Sequence, residues 1–354
     1  MNTWGNKLKI SIFGESHGAA IGVILDGIPS GLPLDMDFIR REMLRRAPGQ
    51  NALSTPRKEA DEVEILSGVM DGVTTGTPIC GIIKNTNTKS KDYNKNLLRP
   101  GHADFTGFQK YGVFHDFRGG GHFSGRITAP IVFAGAIAKQ LLRKKGISIG
   151  SHIKQIYDIN ETSFMDCSIS KELLNEISLK DFPVILDKIG EKMKQAILSA
   201  ASEKDSVGGI IECAVLGLSA GCGSPFFASL ESVISSMMFS IPAVKGIEFG
   251  RGFDFANLKG SDANDPFETD GEKIFTTSNN NGGINGGISN GMPILFSVAI
   301  KPTPSIAQIQ NTVDTEKMEN TTIEITGRHD PCIVQRATVV VECGTALAVL
   351  DSIL

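Results

Sequence analysis

Six histidines are spread through 354 residues, and three of them keep company that suits acid–base chemistry. His17 lies in Gly14-Glu15-Ser16-His17-Gly18, a glycine-bounded turn after an apolar run. An imidazole titrates near neutral pH and there suits a general acid. His102 lies in Arg99-Pro100-Gly101-His102-Ala103-Asp104, where Pro and Gly fix the backbone and Asp104 is placed to orient the ring or raise its pKa. Taken alone, either histidine also reads as a surface loop residue. The third group is Gly327-Arg328-His329-Asp330-Pro331, which reads as a site or as a local salt bridge. The run Arg118-Gly119-Gly120-Gly121-His122-Phe123-Ser124-Gly125-Arg126 ends just before a long helical segment. Glycines there let backbone amides face an anion, and the helix start adds positive potential. No Gly-Lys-Ser/Thr follows, so it is not a Walker motif. A strand–turn–helix Gly-x-Gly-x-x-Gly with a later acid is missing too, which disfavours an ordinary nicotinamide dehydrogenase.

Positive charge gathers near residue 40, in Arg40, Arg41, Arg45 and Arg46, with Arg57 and Lys58 beyond. Arg41 and Arg45 are four apart on one helical face, and such a like-charged pair costs stability unless an anion or acid offsets it. An arginine fork binds two oxygens of a phosphate or carboxylate at once. One reading is therefore a ligand site, in which Arg46→Ala weakens anion binding more than it lowers melting temperature. The other is a solvated face balanced by Glu42, Glu59 and Asp61.

The elements that must hold these residues are partly legible. Leu8 to Phe13, Ala20 to Asp26, Val63 to Leu66, Pro78 to Lys84, Ile147 to Ile156, Val207 to Leu216, Ile294 to Ile300 and Thr322 to Thr326 read as strands. Asp35 caps a helix that runs to about Arg46 and stops at Pro48-Gly49. Thr128 to Lys145 is a helix with Gly146 beyond its end, and Pro183 to Ala201 is amphipathic through Ile185, Ile189, Met193 and Ile197. Phe226 to Phe239 and Ile333 to Leu350 read as helices, the second against the β-branched run Thr338 to Val341. Asn160 to Asp181 looks like a polar excursion, and Asn279 to Gly291 like a mobile Asn- and Gly-rich loop. Strands and helices mix without regular βαβ alternation, which favours α+β, and no linker divides the chain, so 1–354 reads as one domain.

Composition narrows the function classes. The net charge is −4, which argues against a general nucleic-acid binder and makes any basic ligand site local. Cys80, Cys167, Cys213, Cys222, Cys332 and Cys343 show neither zinc nor disulfide spacing, as in a reducing cytoplasm. The N-terminus lacks a signal peptide's apolar stretch, and the longest apolar run, Ala129 to Ala138, is far short of a membrane span. The residues by themselves describe a site for a small polyanion with proton-transfer groups.

Taken together, these segments resemble the chorismate synthase family along nearly the whole chain. The matching motifs begin with Gly14 to Gly18, Asp26-Gly27-Ile28-Pro29 and Arg45-Arg46-Ala47-Pro48-Gly49-Gln50. They continue through Thr74 to Ile79, Arg99 to Asp104, Asp116 to Gly121 and Ala243-Val244-Lys245-Gly246. Gly282 to Ile284, Gly286 to Gly291, Lys301-Pro302-Thr303-Pro304-Ser305 and Gly327 to Cys332 complete the series. The resemblance implies an α+β sandwich with helices between antiparallel sheets, assembled as a homotetramer. It also implies a 1,4-anti elimination of phosphate from 5-enolpyruvylshikimate 3-phosphate, with reduced FMN as cofactor and an external, NADP-linked flavin reductant. His17 would act as an acid toward the flavin, His102 would meet the leaving phosphate, and Asp330 would assist removal of the substrate proton. Arg40, Arg45, Arg46 and Arg126 would anchor anions. His122, Phe123, Ser124, Pro242, Ala243, Gly286, Lys301 to Ser305 and Arg328 would match flavin-binding positions. This chain departs from many relatives where His122 replaces an arginine, Phe123 a hydroxyl residue, and Ala52 another arginine. An inactive flavin- or anion-binding relative is the alternative reading.

Overall fold

The computed structural model describes residues 1–49, 53, 61–86, 94–325 and 330–354. The apolar segments at the start of the chain give β1 (Thr3–Trp4), β2 (Lys9–Gly14), β3 (Ala20–Asp26) and β4 (Val63–Ser67). A small hairpin, β5 (Val69–Met70) and β6 (Val73–Thr74), precedes β7 (Ile79–Lys84). Strands β1, β2, β3, β7 and β4 lie in that order in one five-stranded sheet, antiparallel throughout. Later come β8 (Ser148–Ile156), β9 (Ile159–Asn160), β10 (Gly209–Leu216) and β11 (Val244–Phe249). Two hairpins follow, β12 (Phe267–Thr269) with β13 (Ile274–Thr276) and β14 (Ile284–Asn285) with β15 (Ile288–Ser289). After β16 (Ile294–Ile300) a third hairpin joins β17 (Ile309–Asp314) to β18 (Glu319–Glu324). The second five-stranded sheet is ordered β11-β16-β10-β8-β9 and is also antiparallel.

The helices are α1 (Met36–Arg46), α2 (Asp104–Tyr111), α3 (Thr128–Lys144), α4 (Lys171–Leu179), α5 (Asp187–Ser202), α6 (Leu230–Ser240), α7 (Gly260–Ala263) and α8 (Val334–Ile353). Helix α3 packs on β2, β3 and β7 of the first sheet, α8 packs on β8 and β10 of the second, and α3 and α8 pack on each other. The fold is thus α+β, with helices held between two antiparallel sheets, as expected. The sequence explains this inner layer. Residues 129–138 of α3 and 337–351 of α8 are all buried, so each helix is enclosed on every side where they meet. Packing here overrides the weak helix preference of Thr338 to Val341, since each fully buried aliphatic side chain is worth about 1.5–3 kcal/mol. The two helices approach closely at Gly135, where an added Cβ would fall 2.3 Å from the Cys343 Cβ. The end of α8 reaches back to the start of the chain. Asp351 Oδ1 accepts from the amides of Asn6 (3.0 Å), Lys7 (2.7 Å) and Leu8 (2.8 Å).

Several expected elements take other forms. The amphipathic helix starts at Asp187, not Pro183, because the Pro183 carbonyl accepts from the β8 amide of Ile153 at 2.8 Å and keeps that stretch extended. The polar excursion contains α4. Ser170 caps it by accepting from the Leu173 amide (3.2 Å), and only a narrow stripe, Leu174 and Ile177, is buried. The segment from Phe226 begins as a 3-10 turn at Phe226–Ala228, and the true helix is capped by Ser229. Asn279 to Gly291, expected to be a loose loop, carries the β14–β15 hairpin. Its turn is Gly286-Gly287, both with positive φ (62° and 84°), which L side chains rarely adopt. The final expected strand ends at Glu324, and Thr326 lies outside the described residues.

Candidate active site

Three loops converge to bring His17 and His102 against one glycine turn. The first is the β2–β3 connection, which carries Ser16 and His17. The second is Arg99 to Asp104, which leads into α2. The third is Arg118 to Phe123, which precedes α3. The amide of Ser16 donates to the Gly121 carbonyl at 3.1 Å, and His122 Nδ1 lies 2.8 Å from the Gly14 carbonyl, to which it donates. These two bonds dock the third loop on the first. Gly119 and Gly120 adopt φ of 60° and 83°. A Cβ on Gly119 would fall 2.5 Å from His17 Nε2, and one on Gly120 would fall 3.1 Å from His102 Nε2. Successive residues of one turn therefore face the two imidazoles, and only glycine leaves room for them.

His102 is held from behind. Its Nδ1 is 2.9 Å from Asp104 Oδ1, which also accepts from Arg99 Nη2 at 2.7 Å. The 3.2 Å separation of Arg99 Nη2 from Nδ1 closes that triangle, so a proton on Nδ1 points to the carboxylate. Arg99 also donates to Asp104 Oδ2 from Nε (2.8 Å) and from its amide (3.0 Å). Burial raises the Asp104 pKa, but these bonds from Arg99 and His102 outweigh it and hold the carboxyl well below the usual range. Asp104 is thus an anion, and the Nε2 edge is the one turned to the glycines.

The run Lys301 to Ser305 enters from the end of β16. Lys301 Nζ donates to the Gly101 carbonyl, and Pro304 lies against Gly101, where an added Cβ would meet its Cβ at 3.2 Å. The Lys301 amide donates to the Ala243 carbonyl (3.0 Å), so Ala243 adjoins this run, with a strained φ of 73° next to Pro242. Pro302 follows Lys301 directly, and Ser305 is buried. Ser124 sits beside Gly120 and accepts from the Arg126 amide at 3.3 Å. Phe123 turns toward α2, its ring centroid 6.3 Å from that of Tyr111. Gly286 lies at the tip of the β14–β15 turn, where an added Cβ would meet nothing within 4 Å. Asp330 pairs with Arg336 of α8 at 2.7 Å. Arg328 and His329 lie outside the described residues, as do Ala52, Arg57, Lys58 and Glu59.

The arginines separate into different roles. Arg46 and Arg126, both buried, share Asp61. Arg46 Nε donates to Oδ2 at 2.8 Å and Arg126 Nη1 to Oδ1 at 2.6 Å. Burial raises the Asp61 pKa, and the two guanidinium groups more than reverse this, leaving it lowered. Arg126 Nε also donates to Asn85 Oδ1 (2.7 Å), and Asn85 Nδ2 donates to the carbonyls of Glu15 and Gly18, both at 2.9 Å. The buried ion pair is thereby tied to the turn that carries His17. Arg45 points elsewhere. It pairs with Glu342 (2.7 Å) and Glu42 (3.1 Å), and Lys139 joins the same acids at 2.7 and 2.6 Å. This cluster is enclosed by α1, α3 and α8, so Arg45 holds helices together and its fork is already occupied. Arg40 is exposed and pairs with Asp37. Of the four arginines expected to anchor anions, the structure ties only Arg126 and Arg46 to the histidine site. The solvated-face reading named Glu42 and Asp61 as partners, and they are, but in the interior.

Asn85 is the residue that sequence reasoning missed. It follows β7, and β7 pairs with β3 so that Lys84 faces Ala20. That register alone brings Asn85 beside the Glu15–Gly18 turn, and nothing in its local sequence marks it. Ser16 Oγ and Thr303 Oγ1 are buried and, among the described residues, have no hydrogen-bond partner. Buried hydroxyls rarely stay so.

Two imidazoles face one glycine wall, with a half-buried carboxylate behind His102 and Lys301 beside the His102 loop, an arrangement suited to acid–base chemistry on a small anion. A model described as chorismate synthase matches residues 8–354. Chorismate synthase from Dehalococcoides mccartyi (strain ATCC BAA-2100) is 47% identical over 352 residues, which cover 99% of this chain and 96% of that protein. The chorismate synthase of Sulfurimonas denitrificans is 47% identical over 357 residues, with 100% and 96% covered. A crystal structure of chorismate synthase superposes with a TM-score of 0.77 at 29% identity, covering 99% of this chain and 92% of that one. The chain belongs to the chorismate synthase family.

Proposed function

We infer that the chain is a lyase that converts 5-enolpyruvylshikimate 3-phosphate to chorismate and phosphate by 1,4-anti elimination. The observation that carries this reading is the pair His17 and His102 set against successive glycines of one turn. The reaction breaks the bond from carbon 3 to the phosphate oxygen and removes a proton from carbon 6. Nothing is oxidised or reduced overall.

The family's flavin fits the residues present. Ser16 Oγ and Thr303 Oγ1 are buried hydroxyls awaiting a partner, and Lys301 supplies a cation two residues before Thr303. We propose FMN in its reduced form, supplied by an external, NADP-linked reductant. Residues Lys301 to Ser305, Ala243, Pro242, Ser124, Gly286 and Arg328 would hold it, with His122 and Phe123 completing the wall. When bound, reduced flavin supplies electron density to the substrate as phosphate departs. The chain does the rest. His102, locked to Asp104 through Nδ1, presents a proton on Nε2 to the departing phosphate. Arg126 and Arg46 place positive potential next to the His17 turn, where it stabilises charge that develops in the transition state. His17 holds a proton toward the flavin, and Asp330 serves the proton leaving carbon 6. A glycine wall with no side chains to reorganise lets substrate sit close and keeps bulk water out. We also propose a homotetramer working in the cytoplasm, on the resemblance and on the unpaired cysteines.

An anaerobic assay with reduced FMN tests the reading. Phosphate and chorismate should appear together only when the flavin is reduced. Equal turnover with oxidised FMN and no reductant refutes the mechanism, and no turnover in either state leaves the inactive-relative reading.

A further inference from the structure

At the other end of α3, far from Arg126 and Ser124, lies a cleft of about 260 Å³ between α3, the start of β8 and α4. Arg143 lies seventeen positions after Arg126, nearly all of them along α3, which is roughly 25 Å at 1.5 Å per residue. Lys139, Arg143 and Lys171 line the cleft with Ser148 and Asn175, and no carboxylate does so among the described residues. The nearest acids reach Arg143 only at longer range, from Glu42, Glu342 and Asp35. Arg45 and Lys139 balance Glu42 and Glu342 one for one in the buried cluster. Among the described residues, Arg143, Lys171 and nearby Arg41 have no carboxylate within 4.0 Å.

The crowding is specific. The guanidinium carbons of Arg41 and Arg143 lie 5.2 and 4.2 Å from the centroid of the same Phe38 ring, and Lys139 Nζ lies 5.7 Å from it. Burial, and then Arg41, pull the Arg143 pKa below its ordinary value, and Glu42, Glu342 and Asp35 offset this only in part. A second positive charge so close to an unpartnered one is unfavourable until an anion arrives. Donors remain to meet it. Lys139, buried, gives its ammonium to Glu42 and Glu342, at 2.6 and 2.7 Å, and so lends the cleft positive potential and no direct contact. Lys171 gives one to the Gly146 carbonyl at 3.0 Å and keeps two. Arg143 offers its fork, Ser148 a hydroxyl and Asn175 an amide.

We propose that this cleft is a second anion site, separate from the histidine site, and that it takes a dianionic phosphate group, free or as a monoester. The lining brings two cations without a direct ion pair, Arg143 and Lys171, together with a hydroxyl and an amide, a set suited to a tetrahedral oxyanion, and a chain of net charge −4 has little other reason to gather them here.

The test is calorimetric titration of the flavin-loaded full chain with inorganic phosphate, at low ionic strength and a pH where phosphate is dianionic. Wild type should bind one more phosphate per chain than R143Q/K171Q. K171Q alone, at an exposed position on α4, should weaken that extra site at least about tenfold, equivalent to 1.4 kcal/mol, and it keeps the test decisive if the double variant is unstable. The kcat/KM of both variants should match wild type. Superimposable isotherms overturn the proposal. So does a loss of phosphate binding matched by an equal loss of kcat/KM, because the phosphate would then sit in the catalytic site. Repeating the titration with glycerol 3-phosphate separates the sources: tighter binding assigns the site to a phosphorylated metabolite, and equal binding to free phosphate.

Discussion

Arg46→Ala separates a fold role from a ligand role, and the structure sets its size. The substitution removes both donors from Asp61 Oδ2 and leaves that carboxylate with Arg126 alone, in a place where all three side chains are nearly inaccessible. Breaking a buried ion pair by deleting one partner costs about 3–5 kcal/mol, because the remaining charge stays buried and half-neutralised. Unfolding entropy near 2.1 cal/mol/K per residue gives about 0.7 kcal/mol/K for 354 residues, so the melting temperature should fall by roughly 4–7 °C if the chain unfolds as one unit. This reverses the order expected from an arginine that only meets ligand, for which affinity would fall and stability would barely move. A second consequence follows through Arg126 and Asn85, which hold the His17 turn. Turnover should fall as well, and more steeply than substrate affinity. Scanning calorimetry and substrate titration on the same variant decide the matter. A melting temperature within about 1 °C of wild type, with affinity lost, would show that Asp61 is satisfied without Arg46 and that the reasoning is wrong.

Other outcomes follow from the same geometry. His102→Ala should leave the protein folded and reduce turnover by about 10²–10⁴-fold, as loss of a general acid does, and a near-wild-type rate would reduce His102 to a turn residue. Gly119→Ala should lower kcat by at least about tenfold with unaltered assembly, because the new methyl would occupy the His17 ring edge and its φ of 60° disfavours any L side chain, so unchanged kinetics would show that His17 moves freely. His152 lies between Glu161 (3.0 Å) and Glu212 (2.9 Å), and although burial lowers its pKa, the bonds to both acids raise it overall. A raised folded pKa means the stabilisation is complete below the unfolded value of about 6.5 and is lost as pH rises through the folded value. Urea midpoints should therefore drift down above neutral pH in wild type and lose that drift in His152→Asn, and identical pH profiles would refute it. Glu212 behaves oppositely. Burial raises its pKa, but the bond from His152, Lys154 and Ser163 bring it to about 2, so its contribution is lost as pH falls from about 4.3 toward that value, checked by acid unfolding of Glu212→Gln.

The parts of the fold legible in sequence are those fixed by local chemistry. Asp35 was readable as a cap because a carboxylate three residues before an amide is a local arrangement, and its Oδ1 accepts from the Phe38 amide at 2.9 Å. The paired strands β2 and β3 were readable from alternation. Helix α4 was not, because a nine-residue helix needs only two buried side chains and so shows no periodic stripe. The site divides in the same way. His17, His102 and Asp104 announced themselves by motif, and the Arg99 and Asp104 contacts span five residues. The partners that decide the fate of the arginines are remote: Glu342 is 297 residues from Arg45, and Asp61 is 65 residues from Arg126. A helix face with four arginines looks the same whether acids from other elements will cover it or a ligand will.

The bonds from Asp351 to the amides of Asn6, Lys7 and Leu8 bear on how a newly made chain matures. The approach to β2 has its backbone groups satisfied by a residue that is synthesised 343–345 positions later. Until α8 emerges, the first sheet lacks this anchor and the inner layer lacks the helix on which α3 rests, so both present apolar surface to their surroundings. Contacts of such sequence separation slow folding and favour collapsed intermediates in chains of this length. Final consolidation should therefore wait for α8, and nascent chains stalled before residue 334 should be captured by chaperones far more often than the released protein.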